Sequence, residues 1–181
     1  GALAKAADKG KTIQGTSITK LTLNKAGDRV LSASDLVTSW SFYNYNTGQY
    51  QASPVGAAPK TQTLGMDNFI SRFCSATLVQ PGALSFKDGS TTLGYDGAVF
   101  LSGEEDGDSG YGRGFAFDMD GNGINLPRMG LASWENLMPN LKPGKNTVVM
   151  GNEDGSATDS QLFMYVGTKT STGTFADKAG F

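Results

Sequence analysis

Histidine is absent from these 181 residues, cysteine occurs once, and charged side chains make up 18%, where about 25% is usual. The missing histidine excludes Ser-His-Asp and Cys-His nucleophile systems within the chain, and His-rich zinc sites with them. Any chemistry falls to carboxylates, amides, Arg, Lys and hard cations held by oxygen. A lone Cys74 excludes an intrachain disulfide, so core packing or bound ions must hold the fold. No apolar run reaches the roughly 18 to 20 residues of a membrane helix, and a helical membrane span is not expected. The stretch from Gly1 to Thr12 alternates alanine with lysine and has no signal-peptide core. The expectation is a soluble chain whose export signal has been removed. With a formal charge of -2 and no basic run, nucleic acid is not an expected partner.

What is abundant is glycine: 25 residues, about 14%, roughly twice the usual share. Short β-branched and aromatic segments recur between Gly, Asn, Asp and Ser clusters, which predicts strands joined by turns. Ser17–Leu23 alternates and runs into the turn Asn24–Asp28, a first hairpin. Ala98–Leu101, Arg113–Asp118, Thr147–Met150 and Gln161–Val166 read as inner strands, and the only helix candidates are Asp35–Ser39 and Met66–Ile70. Tyr43–Thr63 has no periodicity and reads as an extended surface excursion; its aromatics, with Trp40, cover a core edge or, as a minor alternative, bind carbohydrate. Two segments share one plan, AVFLSGEED and TVVMGNEDG, with their acids starting at Glu104 and Glu153. That spacing is within the period of a β-propeller blade.

The densest chemical signal is the run Gly103-Glu104-Glu105-Asp106-Gly107-Asp108. Two carboxylates about 5 Å apart repel by roughly 3 kcal/mol at an effective dielectric of about 20. The run is either a solvated acidic loop or a site with a cation among the acids. Gly151-Asn152-Glu153-Asp154-Gly155 offers oxygen ligands in the same way, or an ordinary Asp-Gly turn. Asp118-Met119-Asp120-Gly121-Asn122-Gly123 opens like a calcium loop, but Met129 stands where the bidentate Glu belongs, so a hairpin turn is the better reading. Glu135 lies among apolar neighbours in LASWENL, where a carboxylate must be paired, with Arg113 or Arg128, or bound to metal. Gly10-Lys11-Thr12 lacks the first glycine of a P-loop and a strand leading into it, and reads as a solvated basic turn.

Taken in order, RFCSATL (72–78), GAVFLSGEED (97–106), GRGFAFD (112–118), LPRMGLASWENL (126–137), TVVMGNEDG (147–155), LFMYVGTK (162–169) and KAGF (178–181) resemble the PhoX-type alkaline phosphatase family, and within it a branch of bacterial relatives. The resemblance covers about 110 residues, from Arg72 to Phe181. It implies an all-β fold forming part of a β-propeller, with the chain a piece of a longer one. Residues 72–181 would be a propeller segment, and residues 1–71 N-terminal strands and an irregular excursion, as part of a first blade or an appendage.

The resemblance also implies metal ligands at Glu104, Glu105, Glu135, Glu153 and Asp154, with calcium as the ion. Arg113 would steady charge on a phosphate ester substrate, and the location would be periplasmic or extracellular. Gly103 departs from the family, which places a cysteine there as an iron ligand. An oxygen-held calcium survives that departure and a thiolate-held iron does not. Cys74 is expected to be a small buried side chain. Two functions follow: a metal-dependent phosphomonoesterase, or a non-catalytic, calcium-stabilised propeller serving as a surface, filament or self-associating module.

Overall fold

A computed structural model describes residues 17–52, 70, 72–105, 111–142, 144–158 and 160–181. Alternating Phe115 and Phe117 against Ala116 in one five-residue segment sets up the centre of the fold. These residues form β9 (Gly114–Asp118), every residue of which is buried. The large rings point to one side of the sheet and the small side chains to the other, as the two-residue period of a strand requires. β9 pairs antiparallel with β8 (Val99–Gly103) and with β10 (Asn122–Asn125). The β9–β10 turn is the hairpin expected at 118–123. Asp118 Oδ1 accepts from the backbone N–H groups of Asp120 and Asn122, and Gly121 takes a positive φ of 100°.

The sheet grows to six strands in the order β4-β3-β10-β9-β8-β5, with β3 (Ser39–Asn44), β4 (Gln49–Gln51) and β5 (Thr77–Val79). β3 and β10 run parallel, Ser39 facing Asn122 and Ser41 facing Ile124. Residues 39–51 therefore share a sheet with residues 77–125. On one face Phe115 and Phe117 join Leu36, Phe42 and Ile70, with Trp40, Phe73 and Phe100 packed against them. On the other, Val99, Leu101 and Ala116 join Val79, Leu126, Trp134, Leu137 and Val149. Both faces are covered, so β9 reads as a continuous buried run.

A three-stranded antiparallel sheet, β11 (Trp134–Pro139), β12 (Asn146–Glu153) and β13 (Leu162–Thr168), lays one face on that second cluster. Two hairpins complete the strands: β1 (Thr19–Leu23) with β2 (Val30–Asp35), and β6 (Leu84–Asp88) with β7 (Thr91–Tyr95). The helix α1 (Phe175–Ala179) is closed at its start by a capping box between Thr174 and Asp177 and at its end by Gly180 in the left-handed region. The all-β class is as the sequence implies. Among the described residues the sheets have six, three, two and two strands, and no ring of blades closes. Among them, too, no helix is long and apolar enough to cross a membrane.

Three local expectations are corrected. Asp35–Ser39 is not a helix: Asp35 ends β2, Ser39 begins β3, and the N–H groups of Thr38 and Ser39 donate to Gly121 O. The adjacent β-branched Val37 and Thr38 favour that extended link. Within the supposed excursion, 43–51 folds back as the β3–β4 hairpin, its turn fixed by Asn44 Oδ1 accepting from the N–H groups of Asn46 and Thr47. Cys74 is exposed rather than buried, because neighbouring Phe73 turns inward against Phe115 and Phe117. The Met66–Ile70 helix falls outside the described residues except for Ile70, as do residues 53–63 of the excursion and the Gly10–Thr12 turn.

Candidate functional site

The expected site residues come from three separate strands. Glu104 and Glu105 follow β8, Glu135 lies in β11, and Glu153 and Asp154 close β12. The fold brings these strand ends to one corner, through the backbone of Ser133 and Trp134. Trp134 N–H donates to Glu104 O, Trp134 pairs with Glu153 across the β11–β12 ladder, and Asp154 N–H donates to Ser133 O. Ser133 Oγ and Trp134 Nε1 are buried there without a hydrogen-bond partner among the described residues.

Gly103 makes that corner possible. A Cβ on it would lie 2.4 Å from Trp134 Cβ and 2.7 Å from Trp134 O. β8 and β11 therefore approach closely only because residue 103 has no side chain. Gly151 repeats the device on β12, where a Cβ would meet the Trp134 ring at 2.5 Å. A cysteine at 103 would have to push β11 aside. The thiolate-held iron centre therefore does not fit this corner.

Four of the five carboxylates, those of Glu104, Glu105, Glu135 and Glu153, have a partner in the protein. Glu104 and Arg113 lie opposite one another just beyond the Gly103–Gly114 pair, on the ring-bearing side of the sheet. Arg113 Nε donates to Glu104 Oε2 at 2.7 Å and Nη2 to Oε1 at 3.3 Å. Both side chains are 2% exposed. The guanidinium lies 5.8 Å from the Phe42 ring centre and 5.4 Å from that of Phe115, a cation–π enclosure on two sides. Glu105 is buried and pairs with the exposed Arg72.

Glu135 accepts from Asn152 Nδ2 at 2.6 Å, not from Arg113 or Arg128 as its apolar setting suggested. Arg113 is taken by Glu104, and Arg128 lies 3.4 Å from Asp177. Glu153 Oε1 accepts from Ser133 N–H at 3.4 Å. Among the described residues no three acids close on a single point as a metal cluster would, and Asp106 and Asp108 lie outside those residues. The oxygen-only donor set is the chemistry calcium takes.

The aromatic residues of 40–45 pack against one another and the core edge, while Tyr50 stays half exposed. Trp40 stacks on Phe42 and meets Phe115 and Phe117 edge-on, while Tyr43 meets both Tyr45 and Tyr50 edge-on. Burial pushes the Tyr45 phenol up to about 12. Sequence reasoning missed Arg72 and Asn152 as partners of Glu105 and Glu135. Arg72 opens the RFCSATL segment, but nothing in its local pattern ties it to a residue 33 positions away. Compared with protein-family models, with curated proteins and with solved structures, the chain matches none.

Proposed function

We infer that this chain is a non-catalytic β scaffold, a module whose acid–arginine pairs carry structure and whose work lies in association. The observation behind this reading is the enclosure of Arg113. It is the arginine best placed to steady a phosphate, yet it is sealed against Glu104 and two rings. An arginine stabilises a phosphate transition state only where the phosphate can reach it. Freeing Arg113 would leave Glu104 charged, buried and unpaired, a loss of about 3 to 5 kcal/mol. The pair is therefore better suited to tying β8 to β9 than to handling substrate.

A second reading keeps the phosphatase. Its support is that the strand ends carrying the five acids meet at one corner, beside the buried Ser133 Oγ, and that the ordered segments resemble the PhoX-type family. In it, Glu135, Glu153 and Asp154 would hold calcium, which supplies charge neutralisation to a bound phosphate ester.

Two measurements separate the readings: p-nitrophenyl phosphate hydrolysis in calcium and in chelator, and melting of Glu104→Gln and of Glu135→Gln in both. The scaffold reading expects no protein-dependent turnover. It also expects Glu104→Gln to lower the melting temperature equally with and without calcium, because its partner is Arg113. Calcium-dependent turnover that Glu135→Gln abolishes, with Glu135→Gln destabilising only in calcium, would establish the hydrolase instead.

A further inference from the structure

Two surfaces carry apolar side chains that stand exposed among the described residues. The first is the outer face of the β11–β12–β13 sheet. The ladder sets Met138 opposite Met150 and Met150 opposite Met164, a row of three methionines across the sheet, with Val148 beside Val166 and Leu162 at the other side of the row. Met138 is 58% exposed, Leu162 69%, Met164 65% and Val166 53%. The opposite face of the same strands turns Leu137 and Val149 into the core.

The second surface is the β1–β2 hairpin. Leu21 faces Ala33 and Leu23 faces Val30, while Lys20 with Ser34 and Thr22 with Ser32 make the other face. Leu21, Leu23, Val30 and Leu31 are all exposed. The hairpin is thus amphipathic, and a lone two-stranded hairpin is marginal in water unless its apolar face is packed.

The two surfaces match each other in length, chemistry and charge. Strands of five and six residues in the hairpin span roughly 17 to 20 Å, within the roughly 23 to 27 Å of the seven- and eight-residue strands β13 and β12. Methionines adapt their shape to an incoming apolar surface, which suits a row of three to receive leucines. The hairpin's tip carries Lys25 and Arg29 against Asp28, and its base ends on Asp35. The sheet runs the other way, with Glu135, Glu153 and Asp154 at one end and Lys142 and Lys145 at the other. Laid along the sheet with its tip over the acids, the hairpin places Lys25 and Arg29 near Glu135, Glu153 and Asp154, while Lys20 balances Asp35 at its base.

We propose that two copies of this chain associate reciprocally, each seating its β1–β2 hairpin on the methionine-rich outer face of the other's β11–β12–β13 sheet. The arrangement is closed, so it stops at a dimer rather than growing. Each seat is small, which places the complex in the weak, concentration-dependent class. The proposal rests on the scaffold reading, whose partner it names.

Sedimentation velocity of the whole chain under reductant, from about 2 to about 200 µM, tests it across the range where so small an interface acts. The expected result is a monomer–dimer equilibrium. Leu21→Ser with Leu23→Ser, and separately Met164→Lys, should each weaken it by at least about tenfold. Melting should barely move, since these side chains are exposed. Lys25→Glu with Arg29→Glu should also weaken the dimer, and adding Asp154→Lys should restore part of it. A monomer at every concentration overturns the proposal, as does association that the hairpin and sheet variants leave unchanged. Monomer without phosphatase turnover sinks this dimer alone, whereas turnover sinks the scaffold reading whatever the oligomeric state.

Discussion

The six-stranded and three-stranded sheets treat polarity in opposite ways. In the first, an arginine and a glutamate are enclosed among aromatic rings and paired with each other. In the second, methionine, leucine and valine stand in solvent on one whole face. The first arrangement withdraws charged groups from reagents and makes their mutual geometry a condition of folding. The second leaves apolar area whose burial needs another surface. The lesson is that the chemically rich residues of this chain are its structural ones, and its plainest residues are the ones available to a partner.

The largest expected effect tests the sealed half of that contrast. Arg113→Met strands a buried Glu104 carboxylate and should cost about 3 to 5 kcal/mol, read as a fall in urea midpoint. Replacing both residues, Glu104→Leu with Arg113→Met, should recover most of the loss, because an apolar pair needs no ionic partner among the rings. If Arg113→Met alone is neutral, the pair is no clamp and the contrast fails. Next in size is Gly103→Cys, whose Cβ would meet Trp134 at 2.4 Å. Overpacking of this kind costs about 1 to 3 kcal/mol. The variant should be destabilised and bind no iron; a stable, iron-binding variant would show that β11 can retreat.

Much of this architecture was legible in local pattern. The Phe115–Ala116–Phe117 alternation marked β9, the 118–123 cluster marked its turn, and the two apolar runs near 147 and 161 became β12 and β13, the second an exposed edge strand and not the inner strand expected. Legibility ended where partners are far apart in sequence. The parallel pairing of β3 with β10 joins residues about 80 positions apart with no local signature. For the same reason the acid run after Gly103 pointed to a cation, although the charges that compensate Glu104 and Glu105 are Arg113, later in the sequence, and Arg72, upstream. α1 had a readable cap in Thr174, Asp177 and Gly180, but at five residues it was too short for periodicity to reveal.

The smallest effect separates the two sheets by the sign of their response to alkali. Beside the six-stranded sheet, burial raises Tyr45 from 10.0 to about 12. Its folded form keeps a proton that the unfolded chain releases, so its contribution is complete below pH 10 and lost as pH climbs to 12. Tyr50, also raised to about 12 by burial, adds in the same direction. At the end of the three-stranded sheet, Lys169 donates from Nζ to the carbonyls of Gly144 and Asn146, and burial lowers its pKa below the ordinary 10.5. Its folded form sheds a proton that the unfolded chain still holds, so its contribution grows as pH approaches 10.5. Chemical denaturation across the alkaline range should therefore show stability rising gently to a maximum near pH 10 and then falling, by on the order of 2 kcal/mol for Tyr45 by pH 12. Tyr45→Phe should shrink the fall to the share of Tyr50 and leave the rise, and Lys169→Met should flatten the rise and leave the fall. A single variant that removed both limbs would mean that the two sheets do not titrate as separate regions.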